Sequence, residues 1–318
     1  MTKKLTVALL SGGISSERDV SLKSGDQVFE ALDKAKYTVC RYDPKTDLLR
    51  LVADAPTLDV ALIVLHGPFG EDGTVQGLLD LLGIPYQGSG VLGSAVAMDK
   101  LASKQLYEKA GIPTPAYMTL HRQDRWNTRT IIERMGLPLV VKPVKGGSSI
   151  GMSIVKTPEA IASAFSNAFQ HDDTVLIEAF VQGTELTVGV IGNQELEPLP
   201  VIEIIPDSQY EFFDYHAKYL PGASREICPA RIDDTLTQKA QARALMAHQA
   251  LFCNGYSRTD MILRGRDIYV LETNTIPGMT ETSLLPLAAK TAGISFPQLL
   301  DRLIELSLNR NAARAGKG

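Results

Sequence analysis

The chain has 318 residues, of which 44% are hydrophobic and 21% charged, so it is long enough for two or three domains of an ordinary globular protein. Its formal net charge of −4 argues against nucleic acid or an anionic membrane surface as a partner. The three cysteines are widely spaced, which predicts reduced thiols and a cytoplasmic location, and no apolar run reaches the roughly 20 residues that a membrane span needs.

Residues 1–96 alternate strand and helix patterns. Strands are predicted over 5–10, 37–42 and 59–67, and helices over 21–33 and 73–83. This alternation predicts a Rossmann-like domain, with a parallel sheet covered on both faces. Ligands of such sheets lie beyond the carboxyl ends of the strands, where the loops SGGISSER (11–18) and HGPFGEDG (66–73) are expected to meet.

Two further blocks, 97–184 and 185–318, mix strands with helices. In the first we predict a helix over 98–111, a hairpin over 140–155, a helix over 158–169 and a strand over 174–180. In the second we predict strands over 184–192 and 199–205, a helix from the N-cap Asp233 to Asn254, a hairpin over 257–274 and two final helices. The blocks predict three domains, a Rossmann-like one and two of α+β type.

Glycine-rich stretches raise the possibility of nucleotide binding. The sequence GSGVLG (88–93) matches the dinucleotide pattern GxGxxG, but it does not follow a long buried strand. A loop that leads into a helix is therefore the favoured interpretation. The P-loop pattern GxxxxGK[ST] is absent from the sequence.

The hairpin VVKPVKGGSSIGMSIV (140–155) is a better candidate. Its glycines allow backbone N–H groups to approach an anion, Ser148 and Ser149 add hydroxyl donors, and Lys142 supplies a positive charge suited to phosphate. A mobile surface hairpin, in which the glycines only form the turn, explains the local pattern equally well. The local sequence leaves both alternatives open.

The hairpin 257–274 gathers acidic side chains on one face. If its turn is 265–267, Asp260 lies opposite Glu272 and Arg258 lies opposite Asn274. Like charges facing each other across strands destabilise a sheet, and a divalent cation with oxygen ligands would compensate them. The alternative is a solvated polar face with an Arg–Glu bridge. The apolar residues on the other face of SRTDMIL favour a magnesium site.

Eight segments occur in an order that resembles one known family. They are SGGISSERDVSL (11–22), HGPFGEDGTVQGLLDLLGIPYQGSG (66–90), MDK (98–100), KPVKGGSSIGMS (142–153), IEAFVQGTELTV (177–188), DYHAKY (214–219), SRTD (257–260) and ETNTIPGMTETSL (272–284). On these segments the chain resembles the D-alanine–D-alanine ligase family over nearly its whole length. The resemblance implies an ATP-grasp fold, α/β and α+β, with a Rossmann-like N-terminal domain (1–96), a central domain with a glycine-rich lid (97–184) and a C-terminal domain (185–318).

The resemblance also implies nucleotide and metal contacts. The ATP contacts would be Lys100, Lys142, Ser148, Ser149, Glu178, Val181, Glu185 and Lys218. Among them, the lysines 100 and 142 would hold phosphates beneath the loop 145–151, while residues 178 and 181 would meet the adenine and residue 185 the ribose. Asp260, Glu272 and Asn274 would bind two Mg²⁺ ions, for which Mn²⁺ could substitute.

A third set would bind D-alanine. Its members would be Glu17, His66, Arg258, Gly278, Ser283 and Leu284. Glu17 would take the ammonium of the first D-alanine, while Arg258 and the backbone N–H of Gly278 would stabilise a tetrahedral oxyanion. The catalytic set would comprise Glu17, Ser148, Tyr219, Arg258, Gly278 and Ser283, with Lys218 and Tyr219 on a loop that covers the site.

The implied activity is the ATP-dependent joining of two D-alanine molecules through an acyl phosphate, for peptidoglycan precursor synthesis, by a cytoplasmic homodimer. Three alternatives remain: a D-alanine–D-lactate ligase, another ATP-grasp carboxylate–amine ligase, and an inactive nucleotide-binding protein. The pair Lys218-Tyr219 favours D-alanine as the second substrate over D-lactate. The presence of arginine, carboxylates and lysines at the implied positions argues against an inactive protein.

Overall fold

The computed structural model describes residues 3–147, 149–206 and 224–315, with side chains as far as residue 309. Ser148, Lys218 and Tyr219, which the resemblance places at the site, lie outside the described residues, as does most of the predicted covering loop. Within the described part of the chain, no helix is both long and apolar enough to cross a lipid bilayer.

The first part of the chain forms a parallel sheet with helices packed beside it. Its elements are β1 Leu5–Leu10, α1 Arg18–Ala31, β2 Tyr37–Tyr42, α2 Leu48–Asp54, β3 Val60–Ile63 and α3 Thr74–Leu81. Strand β1 lies in the middle and pairs in parallel with both β2 and β3. Its last four residues, 7–10, are fully buried, as expected for a strand covered on both faces. The predicted parallel sheet is therefore confirmed.

Element ends differ from the prediction at two places that matter for the site. Helix α1 begins at Arg18, three residues earlier than predicted, so that Glu17 is its N-cap residue. Strand β3 ends at Ile63, although the buried residues Val64 and Leu65 continue the apolar run. An apolar run alone cannot distinguish a strand from a buried loop. Helix α2, a short segment whose only buried residue is Leu51, was not predicted.

Two helices, α4 Val91–Met98 and α5 Lys100–Lys109, connect the first sheet to the second. The stretch 88–93 leads into α4, as the favoured interpretation of GSGVLG predicted. A Cβ atom on Gly93 would lie 2.7 Å from the Phe252 carbonyl oxygen, so this glycine allows close backbone packing. Helix α5 starts anew after Asp99, whose carboxylate accepts a hydrogen bond from the Ala102 N–H.

The central part of the chain forms an antiparallel sheet. Its elements are β4 Tyr117–His121, α6 Thr128–Met135, β5 Leu139–Pro143, β6 Ser153–Val155, α7 Ile161–Ala168 and β7 Thr174–Ala179. The strand order is β4-β7-β5-β6, and Val141 pairs with Ser153 across the predicted glycine-rich hairpin. Strand β4 and helix α6 were not predicted, because the segment 117–135 carries only short, weakly periodic apolar patterns.

The last part of the chain builds a larger antiparallel sheet and packs helices against it. Its elements are β8 Thr184–Gly192, β9 Glu197–Pro198, β10 Ile202–Pro206, β11 Ser224–Ile227, α8 Asp234–Ala250, β12 Gly255–Arg264, β13 Asp267–Asn274, α9 Leu284–Thr291 and α10 Phe296–Ala315. The strand order is β11-β10-β8-β12-β13, and β9 also pairs with β8. Asp233 caps α8 as predicted, and Phe252, at a left-handed φ of 56°, lies just beyond its end.

The largest hydrophobic core joins the first and last parts of the chain. It combines Val7 and Leu62 of the parallel sheet with Leu285 of α9 and Leu299 and Leu303 of α10. The first sheet and the C-terminal helices therefore bury their apolar faces against each other, whereas the central sheet has a core of its own around Val141 and Phe165.

Candidate active site

Two pockets with one residue in common lie beside the largest sheet. The first lies between the β5–β6 hairpin and strands β7, β8, β12 and β13, and is here called the nucleotide pocket after the ligand that the resemblance implies. The second lies between the start of α1, the loop after β3 and the start of α9, and is called the amino-acid pocket for the same reason. Gly147 of the glycine-rich hairpin lines both pockets.

Most residues predicted for ATP line the nucleotide pocket. They are Lys100, Lys142, Ser149, Glu178, Val181 and Glu185, joined there by Asp260 and Glu272. The rest of the wall is largely apolar and includes Ile154, Phe180 and Leu271. A largely apolar pocket whose wall also carries lysines and carboxylates suits a flat base joined to a charged tail.

Glu178 lies in a buried cluster with two lysines. Its side chain is 4% exposed, the Lys142 ammonium lies 2.5 Å from one carboxylate oxygen, and Lys104 forms an ion pair with the other. Burial by itself favours the neutral acid, but the two ammonium groups outweigh it and lower the pKa of Glu178 to about 2. Burial likewise opposes the charge of Lys142, yet the carboxylates of Glu178 and Glu272 raise the pKa of Lys142 above its ordinary value.

Lys100 stands at the first position of α5 and reaches the hairpin loop. Its ammonium donates a hydrogen bond to the Gly146 carbonyl over 2.5 Å, and its backbone N–H donates to the Val144 carbonyl over 3.0 Å. The start of α5 is thereby joined to the loop that the resemblance assigns to phosphate. Ser149, at a φ of 57°, adopts a left-handed conformation in this loop.

The acidic pair on β12 and β13 faces the nucleotide pocket. Asp260 pairs directly with Glu272, and Arg258 pairs with Asn274, as the predicted register required. The turn itself was predicted wrongly: Arg264 pairs with Asp267, so the turn has one residue fewer than expected. A β-bulge, with Leu271 as the extra residue, restores the register before the acids are reached. Because of this bulge, Leu271 and Glu272 both line the pocket.

Asp260 is held by several donors. The Arg258 guanidinium donates two hydrogen bonds to it, over 2.9 and 2.8 Å, and the Thr187 hydroxyl and the Asn274 amide donate over 2.6 and 3.0 Å. The ion pair on this face is therefore formed by Arg258 and Asp260, whose side chains are 11% and 16% exposed. It is not the solvated Arg–Glu bridge of the alternative interpretation.

The oxygen atoms of the residues predicted for the metal suit a divalent cation only if the bound nucleotide or water adds further ligands. The described residues contain no group of three or more His, Cys, Asp or Glu side chains arranged for a metal. Two carboxylates and one amide remain, from Asp260, Glu272 and Asn274. Mg²⁺ typically uses few protein carboxylates and completes its octahedral shell with water and substrate phosphates. The set is therefore compatible with Mg²⁺ delivered together with a nucleotide.

The residues predicted for D-alanine line the amino-acid pocket. They are Glu17, His66, Arg258, Gly278, Ser283 and Leu284, joined there by Asn274. Glu17 is 4% exposed, and its position follows from a short network: the Ser15 hydroxyl accepts from the Glu17 N–H over 3.2 Å and donates to the His66 carbonyl over 2.6 Å. Ser283, the N-cap of α9, accepts a hydrogen bond from the Thr280 N–H over 3.1 Å.

Two groups in this pocket have shifted acidities. Burial is the main influence on His66 and lowers its pKa, and within the described residues its Nε2 atom has no hydrogen-bond partner. Glu71, from the GEDG segment, also lines the pocket and accepts a hydrogen bond from the Gly67 N–H over 2.7 Å. Burial, helped by the nearby Glu17 carboxylate, raises the pKa of Glu71 to about 8.

Sequence reasoning missed Glu71 and Lys104. Glu71 carried a usable signal, because it lies in the loop at the carboxyl end of β3, five residues after His66. Lys104 also carried one, since it follows Lys100 by four residues and therefore lies on the same face of α5.

Comparison with known proteins shows which family the chain is similar to. A family model described as "D-ala D-ala ligase C-terminus" matches residues 106–305, and one described as "D-ala D-ala ligase N-terminus" matches residues 43–89. A D-alanine–D-alanine ligase of Syntrophobacter fumaroxidans is 64% identical over 307 residues, which cover 96% of this chain and 99% of that protein. Another, from Desulfotalea psychrophila, is 54% identical over 99% of this chain and 98% of that protein.

A solved structure shows the same similarity. The crystal structure of D-alanine–D-alanine ligase from Bacillus anthracis complexed with ATP is 36% identical, with a TM-score of 0.86 over 98% of this chain and 99% of that one. The predicted fold, an ATP-grasp fold with a parallel-sheet domain before it, is confirmed by these matches. Together they confirm the expected ligase activity and its place in peptidoglycan precursor synthesis, and the chain belongs to the D-alanine–D-alanine ligase family.

Proposed function

We propose that the two pockets divide the ligase reaction between them, with ATP in the nucleotide pocket and two D-alanine molecules in the amino-acid pocket. The observation that carries this assignment is the position of Gly147, which lines both pockets. A Cβ atom on it would lie 3.4 Å from the Glu17 carboxylate. A phosphate bound beneath the hairpin would therefore lie beside an amino acid whose ammonium contacts Glu17.

The first step follows from the weak electrophilicity of a carboxylate. The terminal phosphoryl group of ATP passes to the carboxylate of the first D-alanine, which yields an acyl phosphate and ADP. Phosphoryl transfer depends mainly on positioning and charge stabilisation. We assign the phosphates to Lys100 and Lys142, the adenine to Glu178 and the backbone at Val181, the ribose to Glu185, and a loop contact to Ser149.

We assign Asp260, Glu272 and Asn274 to Mg²⁺, in the two-ion arrangement expected from the resemblance and with Mn²⁺ as a substitute. The cation supplies charge neutralisation for the phosphates. The chain's own contribution is a pair of acids on facing positions of β12 and β13, held in register by the bulge at Leu271.

In the second step the amine of the second D-alanine attacks the acyl phosphate, and inorganic phosphate leaves. The attacked carbon becomes tetrahedral and its oxygen becomes an oxyanion, whose stabilisation we assign to Arg258 and the Gly278 backbone N–H. The amine nitrogen loses a proton and the oxyanion collapses to the amide as phosphate leaves. His66 would contact the first substrate, while Ser283 and Leu284 at the start of α9 would receive the second one. The roles implied for Ser148, Lys218 and Tyr219 remain proposals that rest on the resemblance.

We further propose a homodimer, a cytoplasmic location, and a division into domains at 1–96, 97–184 and 185–318. A group of exposed apolar side chains around one pocket in the N-terminal range supports the dimer, namely Ile14, Leu48 and Phe69, which are 61%, 44% and 53% exposed. The three cysteines are free, which suits a reducing compartment. Each of the three sheets falls within one of the proposed domains, except that β8 begins at Thr184, one residue before the second boundary.

Phosphate release by the purified chain tests the substrate assignment. We expect release with ATP, Mg²⁺ and D-alanine, and D-alanyl-D-alanine as the product identified by mass spectrometry. D-alanine mixed with D-lactate or D-serine provides the comparison for the second substrate. Phosphate release that depended on another amino acid and never on D-alanine alone would overturn the assignment.

A further inference from the structure

Lys104 on α5 is a buried lysine that none of the proposed roles uses. Its residue exposure is 1%, its ammonium forms an ion pair with Glu178, and it donates a hydrogen bond to the Thr114 hydroxyl over 2.5 Å. The Tyr117 ring centroid lies 5.3 Å from the same nitrogen. Lysine is almost never buried this completely unless it is paired, so its function depends on its ionic partner.

Glu178 connects Lys104 to the nucleotide pocket. Glu178 and Lys142 line that pocket, whereas Lys104 stands behind them. The Lys142 ammonium lies 2.5 Å from Oε2 of Glu178, and the Lys104 ammonium faces Oε1. The cluster thus holds two cations around a single anion, all of them buried, with the Lys142 charge directed towards the pocket.

The positive charge of Lys104 affects how strongly Lys142 attracts a phosphate. Without Lys104, Glu178 and Lys142 would form a neutral pair, and the carboxylate would cancel much of the attraction that Lys142 exerts on a phosphate. Electrostatic interactions are strong in such a poorly solvated place. A purely structural role is a weaker explanation, because a buried ion pair is commonly no more stabilising than apolar side chains of similar volume.

We propose that Lys104 is a positioning residue for nucleotide binding, which shares the charge of Glu178 and so leaves Lys142 positively charged towards the phosphates of the nucleotide. This inference rests on the proposed assignment of ATP to the nucleotide pocket. It concerns binding of the triphosphate more than the chemical step, because Lys104 itself does not reach the pocket.

The test compares the affinity of ATP with that of adenosine, which carries no phosphate. Lys104→Met removes the charge and keeps most of the side-chain volume. Lys109→Met removes the same charge from an exposed position near the end of the same helix and is the matched control. Lys104→Arg tests rescue by a second cation. Dissociation constants come from calorimetry, and thermal unfolding reports whether each variant is folded.

For Lys104→Met we expect the ratio of ATP to adenosine affinity to fall about tenfold, with a similar increase in KM for ATP and a change in kcat of less than about threefold. Lys109→Met should leave the ratio unchanged, and Lys104→Arg should restore most of it. If Lys104→Met does not fold, Lys104→Gln takes its place, because its amide carries no charge and can still donate to the Thr114 hydroxyl. The ratio in Lys104→Gln should fall by the same factor of about ten.

Two results would overturn the inference. One is an unchanged ratio in whichever of Lys104→Met and Lys104→Gln folds, and the other is a fall in the ratio of Lys104→Arg as large as that of Lys104→Met. The variant Lys142→Met distinguishes an error in the role of Lys104 from an error in the assignment of ATP to the nucleotide pocket. If the original chain binds no ATP, or if Lys142→Met keeps the original ratio, the assignment of the pocket is wrong. If Lys142→Met loses the ratio but Lys104→Met does not, only the role of Lys104 is wrong.

Discussion

Replacement of Arg258 by methionine should have opposite effects on turnover and on metal binding. Arg258 and Asp260 lie two residues apart on the same face of β12, and the guanidinium donates hydrogen bonds of 2.9 and 2.8 Å to both carboxylate oxygens. Arg258→Met removes the charged group while it retains most of the side-chain volume. The change therefore deprives the amino-acid pocket of a cation and frees Asp260 from its strongest partner.

The magnitudes follow from these contacts. Loss of one preorganised donor to an oxyanion typically lowers kcat by about 10² to 10³. A hydrogen bond to a charged group is worth about 1.5–3 kcal/mol, and a cation that binds Asp260 must compete with the guanidinium for the same oxygens. Thr187 and Asn274 still donate to Asp260 in the variant, over 2.6 and 3.0 Å. We therefore expect a gain of about tenfold in metal affinity, or roughly 1.4 kcal/mol, which is less than the full value of the pair.

The assay measures Mn²⁺ binding in the presence of ADP by electron paramagnetic resonance, beside phosphate release with ATP and D-alanine. Arg264→Met is the matched control, because Arg264 lies on the same strand but is exposed and donates to the Tyr269 hydroxyl. Normal turnover in Arg258→Met would remove Arg258 from the mechanism. Weaker Mn²⁺ binding would mean that Arg258 orients Asp260 for the cation and does not compete with it.

Three further outcomes are expected. Glu272→Gln should weaken Mg²⁺-dependent ADP binding at least tenfold and leave adenosine binding unchanged, which calorimetry with and without Mg²⁺ measures. Gly183→Ala should lower the free energy of unfolding by about 1–3 kcal/mol in a urea titration, because its Cβ would lie 2.2 Å from the Leu263 carbonyl oxygen. Glu178 has a pKa lowered by its lysines to about 2, so its stabilisation, on the order of 3 kcal/mol, is complete above the unfolded pKa near 4.5 and is lost as the pH falls towards 2. The difference in unfolding free energy between the original chain and Glu178→Gln should therefore shrink over that range.

The metal-site register illustrates how sequence reasoning reached the correct pairing through an incorrect turn. Simple alternation from a turn at 265–267 placed Asp260 opposite Glu272. The real turn is shorter, and by itself it would have shifted the facing partner of Asp260 to Leu271. The bulge at Leu271 compensates for this shift. A bulge depends on how two strands twist and pack against a third, so the local sequence of one hairpin could not reveal it.

Elements with strong periodicity or clear punctuation were predictable, whereas contacts between distant parts of the chain were not. Strand β1 and the N-cap Asp233 carried local signals, an apolar run and a capping residue before a helix. The ion pair between Lys104 and Glu178 joins residues that are far apart in sequence, and the core that joins β1 to α10 spans nearly the whole chain. Such contacts depend on the relative placement of the three sheets.

Helix α5 explains why a lysine that looks solvated in the sequence contributes to the site. Lys100, Lys104 and Tyr107 are spaced by four and three residues and therefore lie on one face of the helix. Each contacts a different element that borders the nucleotide pocket. Lys100 reaches the Gly146 carbonyl of the hairpin loop, Lys104 reaches Glu178 of β7, and the Tyr107 hydroxyl donates to Thr273 of β13 over 2.8 Å. Thr273 lies between Glu272 and Asn274, the residues proposed for the metal. One face of α5 therefore fixes the relative positions of the hairpin loop, of Glu178 and of these two residues. A displacement of α5 would therefore disturb the groups proposed for phosphate, base and cation at the same time.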